Sequence, residues 1–144
     1  MEISPVWTDG IAVMTLKTKC LDARARQGLR TLFARVAAAG VRQLVLDFHE
    51  VRGVDSAGCA AVLYFLRQCQ RAHCACIIGA PLGRVRTVFE LIGLHRVVEV
   101  VNSVEEAVRA FRVSSPAEEL ELPPVLTASS AQAVEERPVP ALAT

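Results

Sequence analysis

Short apolar runs that alternate with helical stretches constrain the fold of this chain most strongly. Gln43–Phe48 has the sequence QLVLDF and Cys74–Gly79 has the sequence CACIIG. Apolar runs of this length predict strands that are buried on both faces of a sheet. The stretch between the N-terminal strands and Gln43 has an apolar stripe at the spacing of a helix, formed by Ala25, Leu29, Leu32, Phe33 and Val36. Strands that alternate with helices predict parallel pairing with right-handed crossovers.

The N-terminal residues predict a hairpin that joins this sheet. Asp9-Gly10 separates a loosely alternating stretch, Glu2–Thr8, from a second stretch that contains Ile11 and Val13, and Asp-Gly between two such stretches favours a tight β-turn. Three further helices and a fifth strand, Val97–Val101, complete the order β-β-α-β-α-β-α-β-α. We therefore predict an α/β fold with a central mixed sheet of about five strands and about four helices.

Caps mark the helix ends in this prediction. Asp22 is placed at the N-cap of the first helix and Gly40 just after its last turn. The third helix is expected over Gly83–Leu94, and Ser103-Val104-Glu105-Glu106 predicts a capping box that begins the fourth helix.

The chain length and composition indicate one globular domain followed by a tail. The 144 residues are 52% hydrophobic, enough to form a single core. After residue 113 the composition changes to Ala, Ser, Thr and Glu interrupted by prolines, at Pro116, Pro123, Pro124, Pro138 and Pro140. We expect a domain over residues 1–113 and a disordered tail over residues 114–144.

Charge and hydropathy favour a protein of the cytosol that does not bind nucleic acid directly. The 16 Lys and Arg residues against 15 Asp and Glu leave a net charge of +1, without the basic excess that phosphate binding requires. No run approaches the roughly 18 apolar residues of a membrane span, and the start, MEISPVWTDG, has no apolar signal-peptide core. A cytoplasmic location is expected, with the five cysteines as free thiols.

The segment Leu44–Gly58, LVLDFHEVRGVDSAG, contains the most informative motif. It predicts a buried strand, a short link and an Asp-Ser pair at the mouth of a helix. A serine there can cap the free N–H groups of the first turn, and the same groups and the helix dipole can accommodate an anion such as a phosphate on Ser56. From the residues alone, Ser56 is either a plain cap or a phosphorylation switch.

In its ordered set of motifs the chain resembles the STAS domain family of sulfate transporters and anti-sigma factor antagonists. The family pattern is an apolar strand, then Asp-Ser-Ser/Thr-Gly opening a helix, then a strand ending in Gly and a helix ending in Leu-x-Gly-Leu. The matching segments are Leu44-Val45-Leu46-Asp47, Val54-Asp55-Ser56-Ala57-Gly58, Cys76-Ile77-Ile78-Gly79, Val85–Leu94 and Val100–Ala107.

This resemblance implies a partner-switching role in transcription regulation. Ser56 would be the phosphoacceptor, and the partner-binding residues would be Asp22, Asp55, Ser56, Ala57 and Gly58. The unphosphorylated protein would capture an anti-sigma factor that is also its serine kinase, with a histidine-kinase-like ATPase fold. Phosphorylation would break that complex, and a PP2C-type phosphatase would restore it. The protein itself would not be an enzyme and would bind no cofactor or metal.

The chain departs from the family pattern at three places, and the first two, in the first turn of the second predicted helix, favour a second function. Ala57 replaces the second hydroxyl residue, Gly58-Cys59-Ala60 replaces Gly-Leu-Gly, and Lys19-Cys20-Leu21-Asp22 replaces Gly-Glu-Leu-Asp. The alternative is a STAS subunit of an ABC-type lipid or solute transport complex, in which this helix start serves as a docking surface.

The cysteines and histidines invite a metal or catalytic hypothesis that their positions disfavour. Cys69, His73, Cys74 and Cys76 are close in sequence, but the predicted turn between helix and strand divides them, and small thiols are ordinary core residues. The histidines lie on different predicted elements, so no Ser-His-Asp arrangement is suggested. For Asp55 we favour a carboxylate that bonds turn N–H groups over a general base.

Overall fold

The computed structural model describes residues 1–121, with side chains through residue 113, and its centre is a five-stranded mixed sheet. The strands are β1 (Glu2–Thr8), β2 (Ile11–Lys17), β3 (Cys20–Leu21), β4 (Gln43–Asp47), β5 (Gly53–Val54), β6 (Ala75–Gly79) and β7 (Glu99–Val101). The helices are α1 (Ala25–Ala38), α2 (Ser56–Arg71), α3 (Gly83–Leu91) and α4 (Val104–Glu121), with a 3₁₀ turn over Leu94–Arg96.

The main sheet has the order β1-β2-β4-β6-β7. β1 and β2 pair antiparallel around Asp9 and Gly10, which have φ values of 51° and 79°. Two positive φ angles are typical of the type I′ hairpin turn that Asp-Gly predicts. The other pairs are parallel, so the prediction of a mixed sheet with four helices is confirmed.

Both faces of the central strand β4 are buried, which explains its unbroken apolar sequence. On one face, Leu44 and Leu46 pack with Ile78 of β6 in a core cluster that includes apolar side chains of α1, α2 and α3. On the other face, Val45 and Ile77 are also buried. Helices cover a parallel sheet of this kind because each crossover must pack back onto it.

Three predicted element ends differ from the structure. α1 begins at Ala25 rather than after Asp22, because the chain makes a turn over residues 22–24 in which the Asp22 carbonyl accepts from the Ala25 N–H. α3 ends at Leu91, since Gly93 has a φ of 78° and breaks the helix. β7 consequently starts at Glu99 rather than Val97. Gly40, with a φ of 70°, follows α1 as predicted.

The described residues fall into two units. The first, Met1–Val108, contains the sheet, α1 to α3 and the start of α4. The second begins at Arg109, and its described part is the remainder of α4. One half of the predicted capping box is present, because the Ser103 hydroxyl accepts from the Glu106 N–H at 3.0 Å. The Glu106 carboxylate accepts from the Asn102 N–H at 3.2 Å, one residue before the expected donor. The predicted disordered tail lies outside the described residues from position 122 onward.

Candidate functional site

Two very short strands assemble the candidate site. β3 and β5 form a separate parallel pair in which Cys20 is opposite Gly53 and Leu21 is opposite Val54. The Leu21 carbonyl also accepts from the Asp55 N–H at 3.0 Å. Asp22 therefore leaves one strand of the pair where Asp55 leaves the other, and the two loops that contain the predicted partner-binding residues are brought side by side.

The first turn of α2 is capped by Asp55 and not by Ser56. The Asp55 Oδ1 accepts from the Gly58 N–H at 2.8 Å, and the backbone at Asp55 is extended. Ser56 is the first residue of the helix, is exposed, and its hydroxyl forms no hydrogen bond within residues 1–121. This geometry argues against the plain-cap hypothesis for Ser56 and supports the interpretation of Asp55 as a carboxylate that bonds turn N–H groups.

Two backbone N–H groups that are free within the described residues lie at the helix start that holds the Ser56 hydroxyl. The N–H groups of Ser56 and Ala57 have no acceptor among the described residues, and the first turn of a helix has a partial positive charge. A phosphate attached there would be partly neutralised by these groups. The fold can therefore accommodate a phosphorylated Ser56.

Gly58 has no side chain, and this allows α2 to approach β3 closely. A Cβ at this position would overlap the backbone carbonyl of Leu21. The close contact between α2 and β3 therefore requires glycine, although Gly58 sits inside a helix, where glycine is intrinsically unfavourable. The resemblance to the family motif predicts a glycine at this position, and the contact with Leu21 explains why a glycine is needed there.

Asp22 is held by a local ion pair. Its carboxylate accepts from the Arg24 guanidinium at 2.9 Å and from the Arg24 N–H at 3.0 Å. These bonds to Arg24 lower the pKa of Asp22 below its usual range. Asp22 is thus ionised and paired with Arg24 at the edge of the site, and it does not cap α1.

Cys59 lies in the first turns of α2, three residues after Ser56, and its thiol is unreactive. Cys59 is buried, and this burial, with a smaller contribution from the Asp55 charge, raises the pKa of its thiol. At neutral pH the thiol is therefore protonated and a poor nucleophile.

A buried carboxylate that the sequence did not single out stabilises the region next to the site. Asp47, at the end of β4, is 5% exposed. It accepts from the Thr15 hydroxyl at 2.9 Å, the His49 N–H at 3.0 Å and the His49 Nδ1 at 2.8 Å. The His49 contacts fix the link between β4 and β5, and the Thr15 contact joins β4 to β2. An Asp at the end of an apolar run was the available sequence signal.

The structure gives the cysteine and histidine residues ordinary surroundings. Cys69 and Cys74 are buried in the core cluster, while His73 is exposed with a φ of 59°. All five cysteines are free thiols. Over the part of the chain that the structure describes, no cluster of three or more His, Cys, Asp or Glu residues is suited to a metal ion. In the same residues, no helix has the length and apolar character needed to cross a membrane.

Comparison with known proteins finds relatives among the anti-sigma factor antagonists. BtrV of Bordetella bronchiseptica, named as a candidate anti-sigma factor antagonist, is 32% identical over 75% of this chain and 92% of its own length. The anti-sigma factor antagonist SpoIIAA in its unphosphorylated form has the same fold, with a TM-score of 0.57 at 24% identity over 79% of this chain and 97% of that chain. The Bacillus SpoIIAA has also been solved in a phosphorylated form.

The same fold occurs in transport proteins. A sulfate transporter family protein from Wolinella succinogenes aligns with a TM-score of 0.69 at 13% identity, covering 77% of this chain and 92% of that chain. At this identity the likeness shows the fold alone. The family model of the STAS domain matches residues 3–107, which include β2 to β7, α1 to α3 and the start of α4. The chain therefore belongs to the STAS domain family, and within it resembles the anti-sigma factor antagonists.

Proposed function

We propose that this chain is an anti-sigma factor antagonist whose binding is switched by phosphorylation of Ser56. In its unphosphorylated form it binds an anti-sigma factor with a histidine-kinase-like ATPase fold, which is also the kinase for Ser56. A PP2C-type phosphatase reverses the modification. The chain acts in the cytoplasm as a binding module, without catalysis or cofactor of its own.

The exposed, unbonded hydroxyl of Ser56 is the observation that carries this proposal. A kinase needs an accessible hydroxyl, and the first helical position of α2 offers one because Asp55 already caps the helix. The resulting phosphate would add about −1.5 to −2 charge. The helix N-terminus would absorb part of it, whereas a partner surface seated on Ser56 would meet it directly. Binding should therefore change more than folding.

Asp22, Asp55, Ala57 and Gly58 would frame the phosphoacceptor for the partner. Asp55 and Asp22 place two carboxylates beside Ser56 through the β3–β5 pair, so the partner needs complementary positive charge there. Ala57 and Gly58 keep the first turn of α2 low, which lets a partner backbone approach the serine.

The experiment is phosphorylation of the purified chain by its cognate ATPase partner with ATP, followed by mapping of the phosphate by mass spectrometry. We expect phosphate on Ser56 and none after Ser56→Ala. Ser103 is a matched internal control, because it is also at a helix N-terminus but its hydroxyl is engaged with Glu106. Phosphate found on other residues and equally abundant in Ser56→Ala would contradict the proposal.

The transport-complex alternative is supported by Ala57, which lacks the second hydroxyl of the switch motif. In that function the start of α2 would be a docking surface and would not be modified. Co-purification with a permease and its ATPase, without phosphate on Ser56, would favour it.

A further inference from the structure

A groove lies near Ser56, and phosphorylation of Ser56 does not by itself assign it a role. α1 and α2 pack side by side and leave a groove of about 630 Å³ between them. We call it the α1–α2 groove. Its walls include Arg26, Arg30 and Phe33 from α1 and Ala60, Tyr64 and Gln68 from α2.

The α1–α2 groove is continuous with the switch position. Ser56, Ala60 and Tyr64 are spaced by four residues along α2, so they lie on one face of the helix. All three are exposed, and Tyr64 is 55% exposed despite its large ring. A partner that sits on Ser56 can therefore extend along this stripe into the groove without leaving α2.

The positive charge of α1 and α2 favours a partner with acidic side chains. α1 and α2 contain no Asp or Glu, whereas they carry arginines at positions 26, 30, 35, 67 and 71. Arg26 and Arg30 form no ion pair with any of the described residues. Two unpaired guanidinium groups one helical turn apart match two carboxylates one turn apart on a facing helix.

The lining between the arginines is apolar and aromatic. Phe33 packs edge-to-face against the buried Phe65 at a centroid distance of 6.3 Å, and this contact fixes its ring in the groove wall. Aromatic side chains and arginine are the residues most enriched at protein interfaces. A nucleic acid would use the arginines but would leave the apolar lining unexplained.

We propose that the α1–α2 groove is the docking site for an acidic amphipathic helix of the anti-sigma factor partner. The apolar face of that helix contacts Phe33 and Tyr64, and its Asp or Glu side chains pair with Arg26 and Arg30. The groove supplies affinity and specificity, while Ser56 at its end supplies the switch. This inference rests on the proposed function, because the occupant belongs to the same partner that Ser56 regulates.

Photo-crosslinking in the source cell tests the groove separately from the switch. The crosslinker p-benzoylphenylalanine replaces Tyr64 in the groove, Arg52 beside the β3–β5 pair, or Leu91, an 80% exposed residue of α3 that serves as the control. We expect positions 52 and 64 to capture the same ATPase-class protein and position 91 not to capture it. The adduct of position 64 should map to a segment with Asp or Glu one turn apart.

The outcomes distinguish the two proposals. Capture of the ATPase from position 52 without capture from position 64 would overturn the groove and leave the proposed function intact. Capture from neither position would overturn both. Crosslinks from position 64 to nucleic acid, or to a partner segment without carboxylates, would also overturn the docking of an acidic helix.

Charge reversal with the purified, captured ATPase gives the quantitative test. Arg26→Glu with Arg30→Glu should weaken binding by about tenfold or more, with a larger effect at low salt. The matched control is Arg84→Glu with Arg96→Glu, two exposed arginines outside the groove. Acid-to-arginine changes in the mapped segment should restore binding to the first pair. An equal loss of binding affinity in the two double variants, with unchanged unfolding midpoints, would overturn the inference.

Discussion

Asp55 and Ser56 have different roles at the start of α2, and this difference can be measured by stability. Asp55 bonds the Gly58 N–H, whereas the Ser56 side chain bonds nothing in the described residues. Asp55→Ala should therefore lower the free energy of unfolding by about 0.5–2 kcal/mol, the usual value of an N-cap. Ser56→Ala should change it by much less. Chemical denaturation of the two variants checks this, and a larger loss from Ser56→Ala would mean that the serine caps the helix.

Gly58 should be far less replaceable than Gly83, the other glycine in a first helical turn. Gly58→Ala introduces a Cβ that overlaps the Leu21 carbonyl, so the backbone must shift. Overpacking of this kind costs about 1–3 kcal/mol. Gly83→Ala is the matched control, because Gly83 is also in a first helical turn and its Cβ would meet no atom within 4 Å. The unfolding midpoint of Gly58→Ala should fall while that of Gly83→Ala stays or rises; equal midpoints would contradict the close contact.

Arg24 should control the titration of Asp22. Because bonding to Arg24 lowers the pKa of Asp22 in the folded chain, the ion pair contributes stability above the unfolded pKa of about 3.9. That contribution is lost as pH falls through the lower, folded pKa. Arg24→Ala should move the Asp22 pKa up toward its ordinary value, as followed by NMR of the carboxyl carbon. An unchanged titration would show that the pair does not persist in solution.

At the scale of elements, β2 and β4 are joined by a buried polar contact as well as by their ladder. Asp47 accepts from Thr15 of β2 and from His49 in the link to β5. Asp47→Ala would leave these donors without an acceptor, at a cost of about 1–3 kcal/mol. Asp47→Asn, which retains one carbonyl acceptor, should lose less. Thermal unfolding of both variants tests this order, and equal stability of Asp47→Ala and wild type would exclude the contact as a structural joint.

The main elements were predictable because each has a sufficiently long pattern. The apolar run of β4 predicts a buried strand, and the apolar stripe of α1 predicts a helix with one buried face. β3 and β5 were not predictable, since each has two residues and their pairing depends on tertiary contacts. Asp22 was misplaced as a cap for a different reason: its carboxylate bonds a local partner, Arg24, and the spacing of helix caps does not reveal this contact.

At the scale of the whole molecule, the fold places the exposed candidate recognition residues on a scaffold with a buried core. The sheet and its helices bury apolar side chains on both faces of β4. The residues predicted from the family motif lie at one edge, where the β3–β5 pair meets the start of α2. The sequence located these residues, but not the adjacent α1–α2 groove, because Tyr64 and the arginines of α1 have no motif and become neighbours only when the helices pack.

The binding affinity of Ser56 variants for the cognate anti-sigma factor tests the central claim most directly. Ser56→Asp places negative charge at an accessible position that folding does not depend on. We therefore predict an unchanged unfolding midpoint and an affinity at least about tenfold lower than wild type. Ser56→Ala should retain wild-type affinity. Equal binding of wild type and Ser56→Asp to a purified anti-sigma factor, with both proteins folded, would contradict the account.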